Sequence, residues 1–299
     1  MDEFQEGPSS VETEKKQKVA VVVLGRGVGI KPGADLNEVR GGRGDLIEPT
    51  GYLERAVVRD ASKGDFGPEQ HPTYNEVVDV DAEPTESRYA GAKANVEAAQ
   101  EIVKAILVDK NRELAGMCFA AGKTPDVMEY IPERWTPGMV LAKNFLEGVP
   151  EVEKSQAKMV FEPENVNTWD DLAASLLWAQ KEGCSEVIMV TVGIHLKRTY
   201  MMAQEVLEGL RKEFGEDKVP QIKFLASEPL VMKKGEERRA EVRDVMESRG
   251  HNVTLAREKR GIEQMKSGTY QSQWASGGKV HEFNKPVVEM SVGEVLNFK

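Results

Sequence analysis

His195 and Arg198 stand three residues apart in VTVGIHLKR, a spacing that puts an imidazole and a guanidinium on one face of a helix. Both can then address a single ligand. Upstream, the segment FEPENVNTWDD carries Glu162, Asn167 and Thr168, and Thr191 precedes His195 by four positions. Glu162 and His195 are the candidates for acid–base work, because imidazole titrates near neutral pH and a carboxylate takes the complementary role. Each residue also has a purely structural reading. His195 fits the first turn of a helix as a cap, and Asn167 and Thr168 fit N-cap positions, Thr168 the better of the two. Near the start of the chain, Gly25-Arg26-Gly27-Val28-Gly29 offers backbone amides and one guanidinium to an anion. It lacks the G-x-G-x-x-G spacing of a dinucleotide site, which leaves a tight turn or an anion loop. No cluster of His, Cys, Asp and Glu has metal-ligand spacing, and no metal site is expected.

The elements that must position these residues alternate. Val19–Leu24 is continuously apolar and β-branched, the pattern of a strand buried on both faces of a parallel sheet. Leu114–Ala121, Ala157–Phe161, Glu186–Val192 and Gln221–Leu225 read as four further strands. Between them the sequence predicts helices over Glu86–Val108 (capped by Thr85 or Ser87), Gly138–Glu147, Thr168–Gly183 and His195–Phe214. Five strands alternating with helices predict a Rossmann-like three-layer α/β/α sandwich with a mostly parallel sheet. Ligands bind such sheets at the carboxyl ends of the strands. There the sequence places Gly25, Arg26 and Gly27 after strand one, Gly122 after strand two, Glu162, Asn167 and Thr168 after strand three, and Thr191, His195 and Arg198 after strand four. The expectation is one anion-friendly pocket formed from all of them, with Arg26 and Arg198 neutralising charge.

The remaining segments divide the chain. Residues 1–17 are polar and aperiodic and read as a disordered tail. Lys15, Lys16 and Lys18 ahead of Val19–Leu24 mimic a signal peptide, but the apolar run is too short for one. The α/β domain is expected over 18–232. It carries an insertion at 30–83 that is rich in turn signals and leaves the end of strand one, where it would form a flap or lie mobile. Residues 233–299 read as a C-terminal helical extension. With 40 Lys and Arg against 50 Asp and Glu, the net charge of -10 disfavours non-specific binding to nucleic acid or an anionic membrane. The basic pairs within Glu236–Lys266 alternate with acids, as on a salt-bridged helix surface. No apolar run spans a bilayer, and two cysteines, Cys118 and Cys184, make no disulfide framework. A cytoplasmic protein with buried, reduced thiols is expected.

The strand VAVVVLGRG, the helix opening at Arg88, and the segments GVPEVEKSQAKMVFEPENVNTWDD and VTVGIHLKR follow the order and spacing of a known pattern. Over roughly residues 18–210 the chain resembles the family called domain of unknown function 218, to which the YdcF-like, SanA-like and ElyC-like proteins belong. Glu162, Asn167, Thr168 and Asp170 fall on its Glu, Asn-Thr and second Glu, and Thr191, His195 and Arg198 on its Val-Thr-Ser-x-x-His-x-x-Arg. Asn165 stands where the family has Ser, and Ala121-Gly122-Lys123 replaces a Ser-Gly-Gly turn. The resemblance implies an enzyme of unknown reaction class or a ligand-binding protein. Its ligand would be anionic or nucleotide-like, such as S-adenosylmethionine, with Arg88 a further ligand contact. The alternative is a non-catalytic regulatory module of cell-envelope or stress physiology, with the C-terminal helices as partner surface.

Overall fold

The computed structural model describes residues 16–25, 28–31, 35, 37–38, 43–49, 91–121, 136–162, 167–247, 249–269 and 287–298. Its strands are β1 (Gln17–Leu24), β2 (Val28–Ile30), β3 (Ile47–Pro49), β4 (Arg112–Ala120), β5 (Lys158–Phe161), β6 (Glu186–Thr191), β7 (Gln221–Ala226) and β8 (Val288–Ser291). Its α-helices are α1 (Ala92–Val108), α2 (Pro137–Gly148), α3 (Thr168–Lys181), α4 (Gly193–Phe214), α5 (Ser227–Val231), α6 (Glu236–Glu247), α7 (Arg249–Ser267) and α8 (Val292–Asn297).

Six strands form one sheet in the order β7-β6-β1-β4-β5-β8. The five strands expected from the sequence all form, and all pair in parallel. The sixth, β8, was not expected within the C-terminal segment. It runs antiparallel along β5, pairing Lys158 with Ser291 and Phe161 with Val288. A capping box between Ser291 and Glu294 then turns the chain into α8.

Side-chain alternation along β1 builds the two cores. Val19, Val21 and Val23 pack with α1 and α2 residues such as Val103, Leu141 and Phe145. Ala20, Val22 and Leu24 face the other way, onto α3 and α4 residues such as Leu172, Leu176, Met202 and Val206. Helices therefore cover both faces of the sheet, as a three-layer α/β/α sandwich requires. A smaller cluster of Ala94, Val192, Val231, Val242 and Val245 ties α6 to the ends of α1 and β6.

Three local expectations are corrected. Helix α1 begins at Ala92 rather than near Glu86, because Gly91 at its N-cap has φ 68°, a left-handed conformation that breaks a helical path. Asn167, not Thr168, caps α3. Its Oδ1 accepts a hydrogen bond from the Asp170 N–H at 3.0 Å, and Thr168 is the first helical residue. The stretch after Gly25 is not turns alone. Strands β2 and β3 pair antiparallel, and Val28 and Ile47 are buried in the α1–α2 core. The flap expected for the insertion falls mostly on residues outside the described ones, as does the tail before Lys16. Among the described residues, no helix is long and apolar enough to cross a membrane.

Candidate functional site

The chain passes from β1 to β4 and β5 on one side, then returns across β1 to β6 and β7 on the other. The topological switch point therefore lies between β1 and β6, and their carboxyl ends define the crevice where such sheets hold ligands.

Gly25 ends β1 there, and its N–H donates to the Ala120 carbonyl at 2.7 Å. A Cβ at this position would lie 2.6 Å from both Ala121 Cβ and Leu141 Cδ1, so close packing alone accounts for the glycine. Asn95 of α1 fixes the same strand end. Fully buried, it donates its Nδ2 to the Leu24 carbonyl at 2.6 Å. Thr191, the last residue of β6, is fully buried, and among the described residues its hydroxyl has no hydrogen-bond partner.

Helix α4 starts beside these ends, and its N-cap Val192 supplies no side-chain bond. The first N–H, that of Gly193, is taken by the Glu228 carboxylate of α5, both of whose oxygens lie 2.9 Å away. The positive end of the helix thus holds an oxyanion, supplied by the chain itself. Two residues on, in the same first turn, His195 is 3% exposed. Its Nδ1 lies 3.0 Å from Glu258 Oε1 of α7, and its Nε2 lies 3.5 Å from the Thr168 hydroxyl of α3. Arg198 forks onto the same carboxylate, Nε to Oε2 at 2.6 Å and Nη2 to Oε1 at 3.0 Å, with Nη2 also 2.9 Å from His195 Nδ1. Burial alone would raise the Glu258 pKa. The charges and hydrogen bonds of His195 and Arg198 outweigh it and hold the carboxyl far below its ordinary 4.5. His251, also on the buried side of α7, is lowered from its ordinary 6.5 by burial, against the opposing pull of Glu228.

Glu162 takes a different place. Nearly fully buried, its carboxyl meets the Ser175 hydroxyl at 2.6 Å, and the same hydroxyl lies 2.7 Å from the Asp171 carbonyl. Ser175 is two turns along α3 from Thr168, about 10 Å at 1.5 Å per residue. The structure thus brings Thr168, His195 and Arg198 together, uses Asn167 as a cap, and sets the Glu162 carboxyl against Ser175 of α3. Arg26, Gly27, Arg88 and Gly122 lie outside the described residues.

Two residues that organise this site, Glu228 and Glu258, were not singled out from the sequence. A signal for Glu258 was there in the spacing. Along α7, His251, Thr254, Glu258 and Gly261 are buried at steps of three, four and three, a polar stripe at helical period. A helix buries such a stripe only against polar partners, here on α4.

Other polar features lie elsewhere. Glu186, buried at the opposite edge of the sheet, accepts from Arg112 Nη2 at 2.9 Å and from Lys223. A groove of about 1100 Å³ lined by Cys184, Tyr200, Gln204, Arg211 and Phe224 also lies toward that edge and contains none of the expected site residues. Both cysteines are buried, and burial pushes the thiol of Cys118 well up and that of Cys184 to about 11. The C-terminal charges pair as expected, Arg239 with Glu236 and Arg238 with Glu241 and Glu97. Among the described residues, no group of three or more His, Cys, Asp or Glu side chains is placed to hold a metal ion. Comparison of the chain with protein-family models, with curated proteins and with solved structures gives no match.

Proposed function

We propose that this chain is a small-molecule enzyme, or a ligand-binding protein, of the kind found in domain of unknown function 218, working in the cytoplasm. Its ligand is anionic or nucleotide-like, with S-adenosylmethionine the leading example, and sits at the carboxyl ends of β1 and β6. His195 is the acid–base group and Thr168 the hydroxyl beside it. The observation that carries this reading is the carboxylate–imidazole–hydroxyl series Glu258–His195–Thr168 at the switch point. A histidine whose outer nitrogen faces a hydroxyl and whose inner nitrogen is held by a carboxylate has the arrangement that acid–base and nucleophilic sites share. The regulatory alternative needs the C-terminal helices as an open partner surface. The side of α7 bearing Glu258 is turned onto α4, so such a surface would lie on the other sides of these helices.

Arg198 enters this reading with a changed role. It was expected to neutralise a ligand's charge, but its side chain is 14% exposed and its guanidinium forked onto Glu258. It serves the ligand through Glu258 and His195. The test is thermal melting of the parent and of His195→Ala with S-adenosylmethionine, S-adenosylhomocysteine and adenosine monophosphate. At a hundredfold excess over Kd a true ligand stabilises by about 2.7 kcal/mol. The expected result is a raised Tm in the parent and none in the variant. A parent unmoved by all three compounds, or a His195→Ala protein that responds equally, overturns the reading.

A further inference from the structure

We infer that Glu258, on a helix beyond the 18–210 stretch that the family resemblance covers, is the positioning residue for His195, holding the ring with its proton on Nδ1 and its Nε2 lone pair toward Thr168. The inference rests on the acid–base reading of His195. Its physical basis is a proton count around one carboxylate oxygen. Glu258 Oε1, His195 Nδ1 and Arg198 Nη2 lie within 2.9–3.0 Å of one another. Arginine has only donors to offer and a carboxylate only acceptors. If Nδ1 carried no proton, its lone pair would face the lone pairs of an anionic oxygen at 3.0 Å in a buried site. With the proton on Nδ1, both nitrogens donate to Oε1, and the second oxygen takes Arg198 Nε at 2.6 Å. Nε2 is then an acceptor for the Thr168 hydroxyl at 3.5 Å.

Among the described residues, groups from three helices face the ring: Arg198 from its own, Thr168 from α3, and Glu258 from α7. Glu258 is the anion among these groups, and its charge favours the protonated ring. Arg198 in turn keeps that carboxylate ionised and oriented. A carboxylate behind an imidazole both selects the tautomer and stabilises the imidazolium that forms when the outer nitrogen takes a proton.

The experiment is nitrogen NMR of the full chain labelled in its histidines. The chain has four, and His195→Ala identifies the signal. In the parent, neutral His195 is expected in the Nδ1–H form. In Glu258→Gln the ring should titrate at least one pH unit lower, a tenfold loss of proton affinity, and Glu258→Asp should recover part of it. An Nε2–H tautomer in the parent overturns the inference without any variant having to fold, because Nδ1 would then accept from Arg198 and make no hydrogen bond to Glu258. A Glu258→Gln protein whose His195 titrates as in the parent overturns it as well. Failure of the melting test with the Nδ1–H form intact rejects the proposed ligand instead, so the two failures are distinguishable.

Discussion

The carboxylate of Glu228 straddles the backbone N–H of Gly193, with both oxygens 2.9 Å from the nitrogen. A residue 35 positions later in the chain thus caps α4, whose own N-cap, Val192, has no polar side chain to do so. Replacing Glu228 by Ala leaves a helix start without its anion and should cost about 1–2 kcal/mol. Glu228→Gln keeps an acceptor and should cost less. Urea denaturation of the two variants checks this, and an Ala variant as stable as the parent would show that the contact contributes nothing.

Glu258 should dominate the acid side of the stability curve. Its folded pKa is depressed, so the unfolded chain holds the extra proton. Its contribution is therefore complete above about pH 4.5 and is lost as the pH falls toward the folded value. Glu258→Gln breaks a buried pair with His195 and Arg198, and at pH 7 should cost about 3–5 kcal/mol. Below pH 4.5 the variant should lose stability less steeply than the parent. Denaturant titrations at a series of pH values measure both effects. Parallel curves would mean that Glu258 titrates normally.

The His251 contribution begins to change at a higher pH. Burial lowers its folded pKa, so its neutral form contributes fully above the ordinary 6.5 and the contribution drains as the pH falls below it. His251→Asn should remove the slope in that range and leave the Glu258 slope untouched. The same titrations separate the two.

The cap of α3 is decided by one comparison. Asn167→Ala removes the side-chain acceptor of the Asp170 N–H and should cost about 1 kcal/mol. Thr168→Ala, one residue into the helix, should stay within about 0.5 kcal/mol of the parent. Equal losses in thermal or urea unfolding would return the cap to Thr168.

The thiols give an independent check on the core. Cys118 and Cys184 are buried and both are raised, the second to about 11. Neither should react with a chromogenic disulfide reagent in the native protein at pH 8, and both should react once it is unfolded. Rapid labelling of Cys118 under native conditions would contradict its place in β4.

The sheet was legible in the sequence because a parallel strand buried on both faces must be apolar at every position. Val19–Leu24 and Val187–Val190 state that locally, with no help from distant residues. His195 and Arg198 were legible for a similar reason, since three residues on a helix set two side chains on one face whatever the surroundings. Their partners were not. Glu258 lies in a segment whose charges read as a salt-bridged surface and Glu228 in no motif, and the packing of α5 and α7 against α4 turns those two carboxylates inward. Glu162 looked like a partner for His195 because both follow strand ends. The direction of its side chain, toward Ser175 beneath α3, depends on a rotamer and a helix placement that spacing does not encode. Gly91 set the start of α1 and Asn167 that of α3, several residues and one residue away from where propensity pointed, because a cap is a matter of backbone angle and one hydrogen bond. Sequence by itself determined which segments must be buried and on which edge of the sheet the polar residues gather. Tertiary structure decided which polar groups meet there, because contacts between residues 35 and 60 positions apart come from packing rather than from local pattern.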